Sequence, residues 1–137
     1  MQGYILKGTE KIWDSSIANM GILFVNLYFR DRVPAYLEAV YPSFWRRELD
    51  IEDIDVVKRC LEAAGVESAG FDDFVNGEGR QMHDHILADR FDAGMYGVPT
   101  YVLEEGVFFG REHLPYIRWV LTGKRGAAPD VSNEVVS

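Results

Sequence analysis

The sequence has a single cysteine, Cys60, among 137 residues. One thiol excludes a disulfide within the chain, a Cys-x-x-Cys redox pair and a cysteine-rich zinc site. Cys60 has Lys58 and Arg59 as neighbours, and basic neighbours can lower the pKa of a thiol. A small, buried helix residue is nevertheless the usual case. The sequence therefore predicts an inert thiol and no dithiol chemistry.

Basic residues are also scarce, since 14 Lys and Arg stand against 22 Asp and Glu, for a net charge of −8. Phosphate binding needs clusters of Lys and Arg, so this balance argues against nucleic acid as a partner. It also weakens any case for an anionic membrane surface. With 47% hydrophobic and 26% charged residues, the composition is that of a globular chain, and the length fits one domain.

Long hydrophobic runs are missing as well. The most apolar stretch, Ile17 to Phe29, contains Asn19, Gly21 and Asn26 and is shorter than the roughly 20 residues that span a bilayer. Met1 to Tyr4 has no basic region followed by an apolar core, so no signal peptide is evident. We therefore expect no membrane span and a cytoplasmic location.

The hydrophobic pattern predicts a mainly helical chain that ends in a hairpin and a helix. Asp14, Ser15 and Ser16 offer oxygens that can cap the first helix. Pro42 should kink or restart the second helix. The expected helices cover Ile17–Phe29, Pro34–Trp45, a stretch beginning near Asp53 and capped by Gly65, Phe71–Val75, Arg80–Ala93 and Glu112–Leu121, with a turn at Asn76–Gly79.

Two β-rich runs, Gly97–Leu103 and Val107–Gly110, flank a short acidic turn and predict the hairpin. Pro99 stands at the entry of the first run, where its missing N–H costs least. The predicted organisation is an N-terminal segment over 1–15 with a possible short strand at Tyr4–Leu6, a helical domain over 16–95, the hairpin and closing helix over 96–123, and a flexible tail over 124–137.

His83, Asp84 and His85 invite a metal-site interpretation. The two histidines lie two residues apart and face different sides of a helix, whereas helical metal ligands favour spacings of three or four residues. A solvated helix face is the better interpretation, and we expect no metal site. The aromatic cluster Tyr36, Tyr41, Phe44 and Trp45 is similarly more typical of a core than of a ligand platform.

The segments Gly94-Met95-Tyr96-Gly97-Val98-Pro99-Thr100-Tyr101-Val102-Leu103 and Phe108-Phe109-Gly110-Arg111-Glu112-His113-Leu114 resemble the C-terminal signature of DsbA-like proteins. The resemblance is greatest to 2-hydroxychromene-2-carboxylate isomerases and kappa-class glutathione transferases. It covers roughly residues 15 to 122, including Phe44-Trp45 and Phe71–Phe74. It implies an α/β fold of the thioredoxin-like DsbA/kappa type with a helical insertion, mostly helical in this chain.

This resemblance also implies a glutathione site. In the family, a cis proline, here Pro99, presents the backbone of the preceding residue, here Val98, to the cysteinyl part of glutathione. Gly110 to Leu114 matches the family segment Gly-x-Asp-Arg-Leu, whose acidic residue holds the amino group of glutathione. Here Glu112 takes the acidic position, Arg111 the variable one, and His113 replaces the Arg. The alternative role for Glu112 is to stabilise the start of a helix.

Family members begin with a strand, a helix and a strand, and their catalytic Ser or Cys follows the first strand. This sequence shows no such front end, and Ser15 and Ser16 are assigned to capping. We therefore assign no catalytic residue and expect the chain by itself to be inactive. Two hypotheses remain: a relative of glutathione-dependent isomerases or transferases, acting on a small aromatic substrate, or a non-catalytic binding or scaffold protein. An unpaired hairpin also predicts a homo-oligomer.

Overall fold

A computed structural model of the protein describes residues 5–130. The order of elements confirms the predicted series of helices followed by a hairpin and a closing helix. Short 3-10 turns at Arg30–Arg32 and Arg111–His113 precede the second and sixth helices. The elements are α1 (Ser16–Tyr28), α2 (Val33–Trp45), α3 (Ile54–Ala63), α4 (Phe71–Asn76), α5 (Glu78–Asp92), β1 (Thr100–Leu103), β2 (Gly106–Phe109) and α6 (Leu114–Leu121).

The chain divides into two compact units, Met1–Ile86 and Leu87–Ser137, called here the helical unit and the hairpin unit. Helix α5 spans the division, and its residues 87–92 belong to the hairpin unit. Within that unit the ring of Phe91 lies 6.1 Å from the ring of Tyr96.

The core of the helical unit forms around aromatic side chains that α1 and α4 bring together. The ring of Phe24 lies 5.4 Å from that of Phe71 and 5.3 Å from that of Phe74, both edge-on. Tyr36 of α2 is fully buried, and its hydroxyl donates a hydrogen bond of 2.9 Å to the carbonyl of Ala18. Aromatic edge-to-face packing adds to the free energy gained by apolar burial alone.

Helix ends in this unit follow local chemistry, with some departures from expectation. The carboxylate of Asp53 accepts from the N–H of Asp55 and caps α3. At α1 the capping oxygen belongs to Asp14, which accepts from the N–H of Ser16, while Ser15 makes no cap hydrogen bond. Helix α2 continues through Pro42 and ends at Trp45, although the proline lacks the N–H that would bond to the carbonyl four residues earlier.

The described part of the N-terminal segment, residues 5–15, is hydrogen-bonded to the end of α2 and forms no strand. Residues 5–9 show no strand, and Tyr4, the first residue of the strand considered above, lies outside the described residues. The N–H of Lys7 donates to the carbonyl of Trp45 at 2.8 Å, and the side chain of Arg47 donates to the carbonyl of Gly8. These isolated bonds replace a strand ladder.

Helix α5 begins earlier than the sequence predicts, so the turn expected over Asn76–Gly79 shrinks to Gly77. Gly79 lies inside the helix and is buried. A side chain there would bring its Cβ to 2.7 Å from the carbonyl oxygen of Phe74. Gly79 therefore allows close packing against Phe74 and does not form part of a turn.

In the hairpin unit, β1 and β2 pair antiparallel in the register Thr100 to Phe109 and Leu103 to Gly106. The ring of Phe108 lies 5.3 Å from that of Tyr116 in α6, which holds one sheet face against this helix. The first residues of the expected tail are also attached, because Lys124 pairs with Glu105 at 2.8 Å. Residues 131–137 lie outside the described part.

Candidate functional site

The corner before β1 exposes a stretch of unpaired backbone. The Val98–Pro99 peptide bond is cis, and Val98 is 87% exposed. No hydrogen bond within residues 5–130 uses the N–H or the carbonyl of Val98. The hydroxyl of Thr100 donates to the carbonyl of Gly97 at 2.5 Å and fixes the corner from within. The backbone of Val98 is thus free to pair with a bound molecule.

Gly110 connects this corner to the acidic residue that the sequence singled out. Its N–H donates to the carbonyl of Pro99 at 2.9 Å, and its φ of +95° is one that glycine adopts readily. The carboxylate of Glu112 occupies the space that a Cβ on Gly110 would take. The structure therefore brings both Pro99 and Glu112 against one glycine.

Glu112 and Arg111 differ in how closely they join this corner. Both are exposed, and neither forms an ion pair with another residue of the described chain. Only Glu112 has its charged group packed against the Gly110 backbone. Its carboxylate can therefore accept hydrogen bonds from a cationic group brought to Val98. Arg111 lies in the 3-10 turn before α6, and its exposed guanidinium group is available to a ligand.

His113 has a structural role that the sequence did not indicate. It is buried, and its Nδ1 lies 2.7 Å from the carbonyl oxygen of Phe109. Because a carbonyl only accepts, Nδ1 must carry the proton. His113 therefore ties the end of β2 to the start of α6. The only signal in the sequence was its place in the segment that resembles Gly-x-Asp-Arg-Leu, and that resemblance implies ligand binding.

Outside this corner, the other candidate residues provide no reactive group. Burial raises the pKa of the Cys60 thiol above its ordinary value, and the opposing effect of Arg59 is smaller. His83 is 8% exposed, so the expectation of a solvated face is wrong for this residue, whose Nδ1 lies 3.2 Å from an oxygen of Asp84. Within residues 5–130, no group of three metal-ligating side chains forms.

The aromatic cluster of α2 separates into two environments. Tyr36 is a core residue, whereas Tyr41 is 51% exposed and Phe44 and Trp45 are partly buried. The prediction of core packing therefore holds fully for Tyr36 alone.

Across the described range 5–130, no helix has both the length and the apolar character needed to cross a bilayer.

The family model described as the DSBA-like thioredoxin domain matches residues 7–121 of the chain. The match covers most of the helical unit, part of the hairpin unit and the whole corner around Pro99. No curated protein and no solved structure matches the chain.

Proposed function

Because the chain belongs to the DsbA-like thioredoxin domain family, we propose that its Val98–Pro99 corner binds glutathione weakly, as in glutathione-dependent isomerases and kappa-class transferases. We also propose that the substrate is a small aromatic molecule, as the resemblance implies. The observation that carries it is that Gly110 contacts both the Glu112 carboxylate and the carbonyl of Pro99.

Glutathione is a short peptide with a free amino group and a thiol, and the corner offers a partner for two of these features. The unpaired N–H and carbonyl of Val98 can form strand-like hydrogen bonds with the peptide part. The Glu112 carboxylate can accept from the ammonium group. Only a few polar contacts are available, which is why we expect weak binding.

The reactive thiol in this proposal comes from the ligand. Cys60 is the only cysteine of the sequence, and its thiol is buried with a raised pKa. A thiolate is the reactive form, so the protein offers none near neutral pH. We propose that the chain positions glutathione but is inactive by itself. The cytoplasm, where thiols stay reduced, is the compartment we propose.

A non-catalytic binding or scaffold protein is the second candidate, and the position of His113 favours it. The family segment that Gly110 to Leu114 resembles carries Arg at this position. Here the histidine is buried and its Nδ1 is bonded to the carbonyl of Phe109, so that nitrogen is not available to a ligand. Such a site can retain a peptide-like molecule without supporting turnover.

Titration with reduced glutathione, followed by amide NMR shifts, tests the binding proposal. We expect saturable shifts at Val98, Gly110 and Glu112, with a dissociation constant near 1 mM, about −4 kcal/mol. Glu112→Gln should weaken binding severalfold, whereas Glu104→Gln, in the hairpin turn, should have no effect. Absence of saturable shifts at the corner would refute the proposal.

The thiol pKa of bound glutathione separates the two candidates. An enzyme-type site lowers that pKa, so thiolate absorbance at neutral pH should rise as the complex forms. A binding module leaves the thiol protonated. An unchanged absorbance at saturating glutathione would therefore favour the non-catalytic protein.

A further inference from the structure

The helical unit contains a cavity of about 420 Å³ beneath the segment 9–13 and between α1 and α2. Small-molecule sites typically enclose about 300–1,000 Å³, whereas protein cores rarely leave voids larger than a water molecule. Tyr41, one of the lining residues, is 51% exposed, so the cavity reaches the surface. The volume is therefore accessible to a ligand.

Aromatic side chains give the cavity its shape. The rings of Trp13 and Phe44, both lining residues, lie edge-on with centroids 5.7 Å apart. The hydroxyl of Tyr36 is bonded to the carbonyl of Ala18, so this lining ring is held in place. Rings fixed in this way favour flat aromatic molecules, which can stack on a face or meet an edge.

The one charged group in the described lining of the cavity is paired with a carboxylate. Among the described residues that line the cavity, Lys11 alone is charged, and its Nζ lies 2.6 Å from Glu52 Oε2. The other carboxylate oxygen of Glu52 accepts from the N–H of Asp14 at 2.8 Å. Glu52 is thus held on both sides, and the ammonium group has a fixed partner.

The remaining polar groups of the lining are neutral. The side-chain amide of Asn19 donates to the hydroxyl of Ser15 at 3.1 Å, a bond that uses only part of the hydrogen-bonding capacity of the amide. A ligand with one donor or acceptor atom can form a hydrogen bond with the unused part of the Asn19 amide. A ligand carboxylate would find only a cation that Glu52 already neutralises.

We propose that this cavity binds a neutral, flat aromatic molecule with a single hydrogen-bonding group, and that Glu52 excludes anionic analogues by pairing with Lys11. The lining residues that the structure describes all belong to the helical unit. Its occupation does not depend on glutathione binding at the Val98–Pro99 corner.

Indole and indole-3-carboxylate form a matched pair of neutral and anionic probes. The three tryptophan indole N–H signals of the protein report binding by NMR, with that of Trp13 identified by a Trp13→Phe variant. We expect indole to shift the Trp13 signal saturably, with a dissociation constant below about 1 mM, and to leave Trp119 of the hairpin unit unmoved. A Trp13 signal that does not saturate would overturn the proposal.

Filling the cavity tests its location. Ile22 lines the cavity from α1, so Ile22→Trp should weaken indole binding at least tenfold. Leu27, on the same helix, is 46% exposed and does not line the cavity, so Leu27→Trp is the matched control. Circular dichroism checks that both variants fold. Unchanged binding in a folded Ile22→Trp protein would contradict the assignment.

The role of Glu52 is tested by the preference between the probes. In the unmodified protein indole should bind at least tenfold more tightly than indole-3-carboxylate. Glu52→Gln releases Lys11 and should reduce that preference at least threefold. Glu48→Gln removes an ion pair with Arg46, 2.8 Å away, and should leave the preference unchanged. An unaltered preference in Glu52→Gln would overturn the role given to Glu52.

Discussion

The buried hydroxyl of Tyr36 makes the stability of the protein decline at alkaline pH. Burial raises the pKa of Tyr36 well above its usual value. As the pH rises, the unfolded chain therefore loses this phenol proton before the folded protein does. The stability that Tyr36 contributes is fully present below the ordinary tyrosine pKa of about 10 and declines above it.

We predict that Tyr36→Phe reduces the alkaline loss of stability. Above pH 10 the unmodified protein should lose about 1.4 kcal/mol more per pH unit than the variant, since one additional proton is released on unfolding. Urea unfolding at several pH values between 8 and 11 measures this. Tyr41 is half-exposed, so Tyr41→Phe should keep the alkaline loss, and an equal reduction in both variants would contradict the role of burial.

Gly21 shows a second residue-level constraint, since it lies under the ring of Tyr36. A Cβ at this position would stand 2.7 Å from the Cζ atom of Tyr36 and closer still to its hydroxyl. In an open helix, Gly→Ala normally stabilises by about 1 kcal/mol. Here the ring must move, and overpacking of this kind costs about 1–3 kcal/mol.

We therefore predict that Gly21→Ala lowers the free energy of unfolding by about 1–3 kcal/mol, as measured by urea denaturation. A Cβ added at Gly8 would meet no atom within 4 Å, so Gly8→Ala serves as the control and should change stability little. A stabilised Gly21→Ala protein would show that α1 and α2 are more loosely packed than described.

At the scale of elements, His113 joins the hairpin to α6 through the carbonyl of Phe109. Its ring also lies 5.7 Å from that of Phe108. Loss of this side chain leaves a carbonyl without its donor and removes packing from the hairpin. The amide protons of β1 and β2 should then exchange faster with solvent.

We predict that His113→Ala increases hydrogen exchange of the hairpin amides at least tenfold, with little change in the amides of α1. Arg111→Ala, two residues earlier and exposed, is the control and should leave the exchange rates unchanged. Equal protection in His113→Ala and the unmodified protein would mean that the Nδ1 bond does not hold the hairpin.

The elements that the sequence predicted well have strong local signals. The β-rich runs around the acidic turn define the hairpin, and Asp53 caps α3 as its position indicates. Burial was predicted less well, because it depends on neighbours distant in sequence. His83 is buried although its own segment is polar, and Gly79 lies in a helix at a point where Phe74 leaves no room for a side chain.

The same distinction applies to the candidate site. The motif singled out Val98, Pro99 and Glu112, but the approach of Pro99 and Glu112 to Gly110 depends on the strand register. The cavity of the helical unit could not be predicted, since Lys11 and Glu52 are 41 residues apart. No periodic pattern connects positions so distant.

At the scale of the whole molecule, one face of the hairpin is apolar and exposed. Val102 and Val107 are paired across the strands and are 62% and 45% exposed, and Phe109 on the same face is 53% exposed. The sheet described has two strands, so both strand edges are also unpaired. Such surfaces favour association with another chain.

We propose a homo-oligomer that covers this face, and predict a mass above the 15.6 kDa of one chain by light scattering after size exclusion. Val102→Lys should shift the population toward monomer. Leu27→Lys, an exposed apolar position on α1, is the control and should not. A monomer at high micromolar concentration would contradict the proposal.

Because Cys60 in α3 is buried, the rate at which its thiol reacts reports how often the helical unit opens. A thiol reagent can label it only while the surrounding side chains are separated. In the native protein the labelling rate equals the rate in a short peptide multiplied by the fraction of time that the core is open, when closing is fast. One unaltered residue therefore measures, without any engineered probe, how often this core exchanges its packed state for a solvated one.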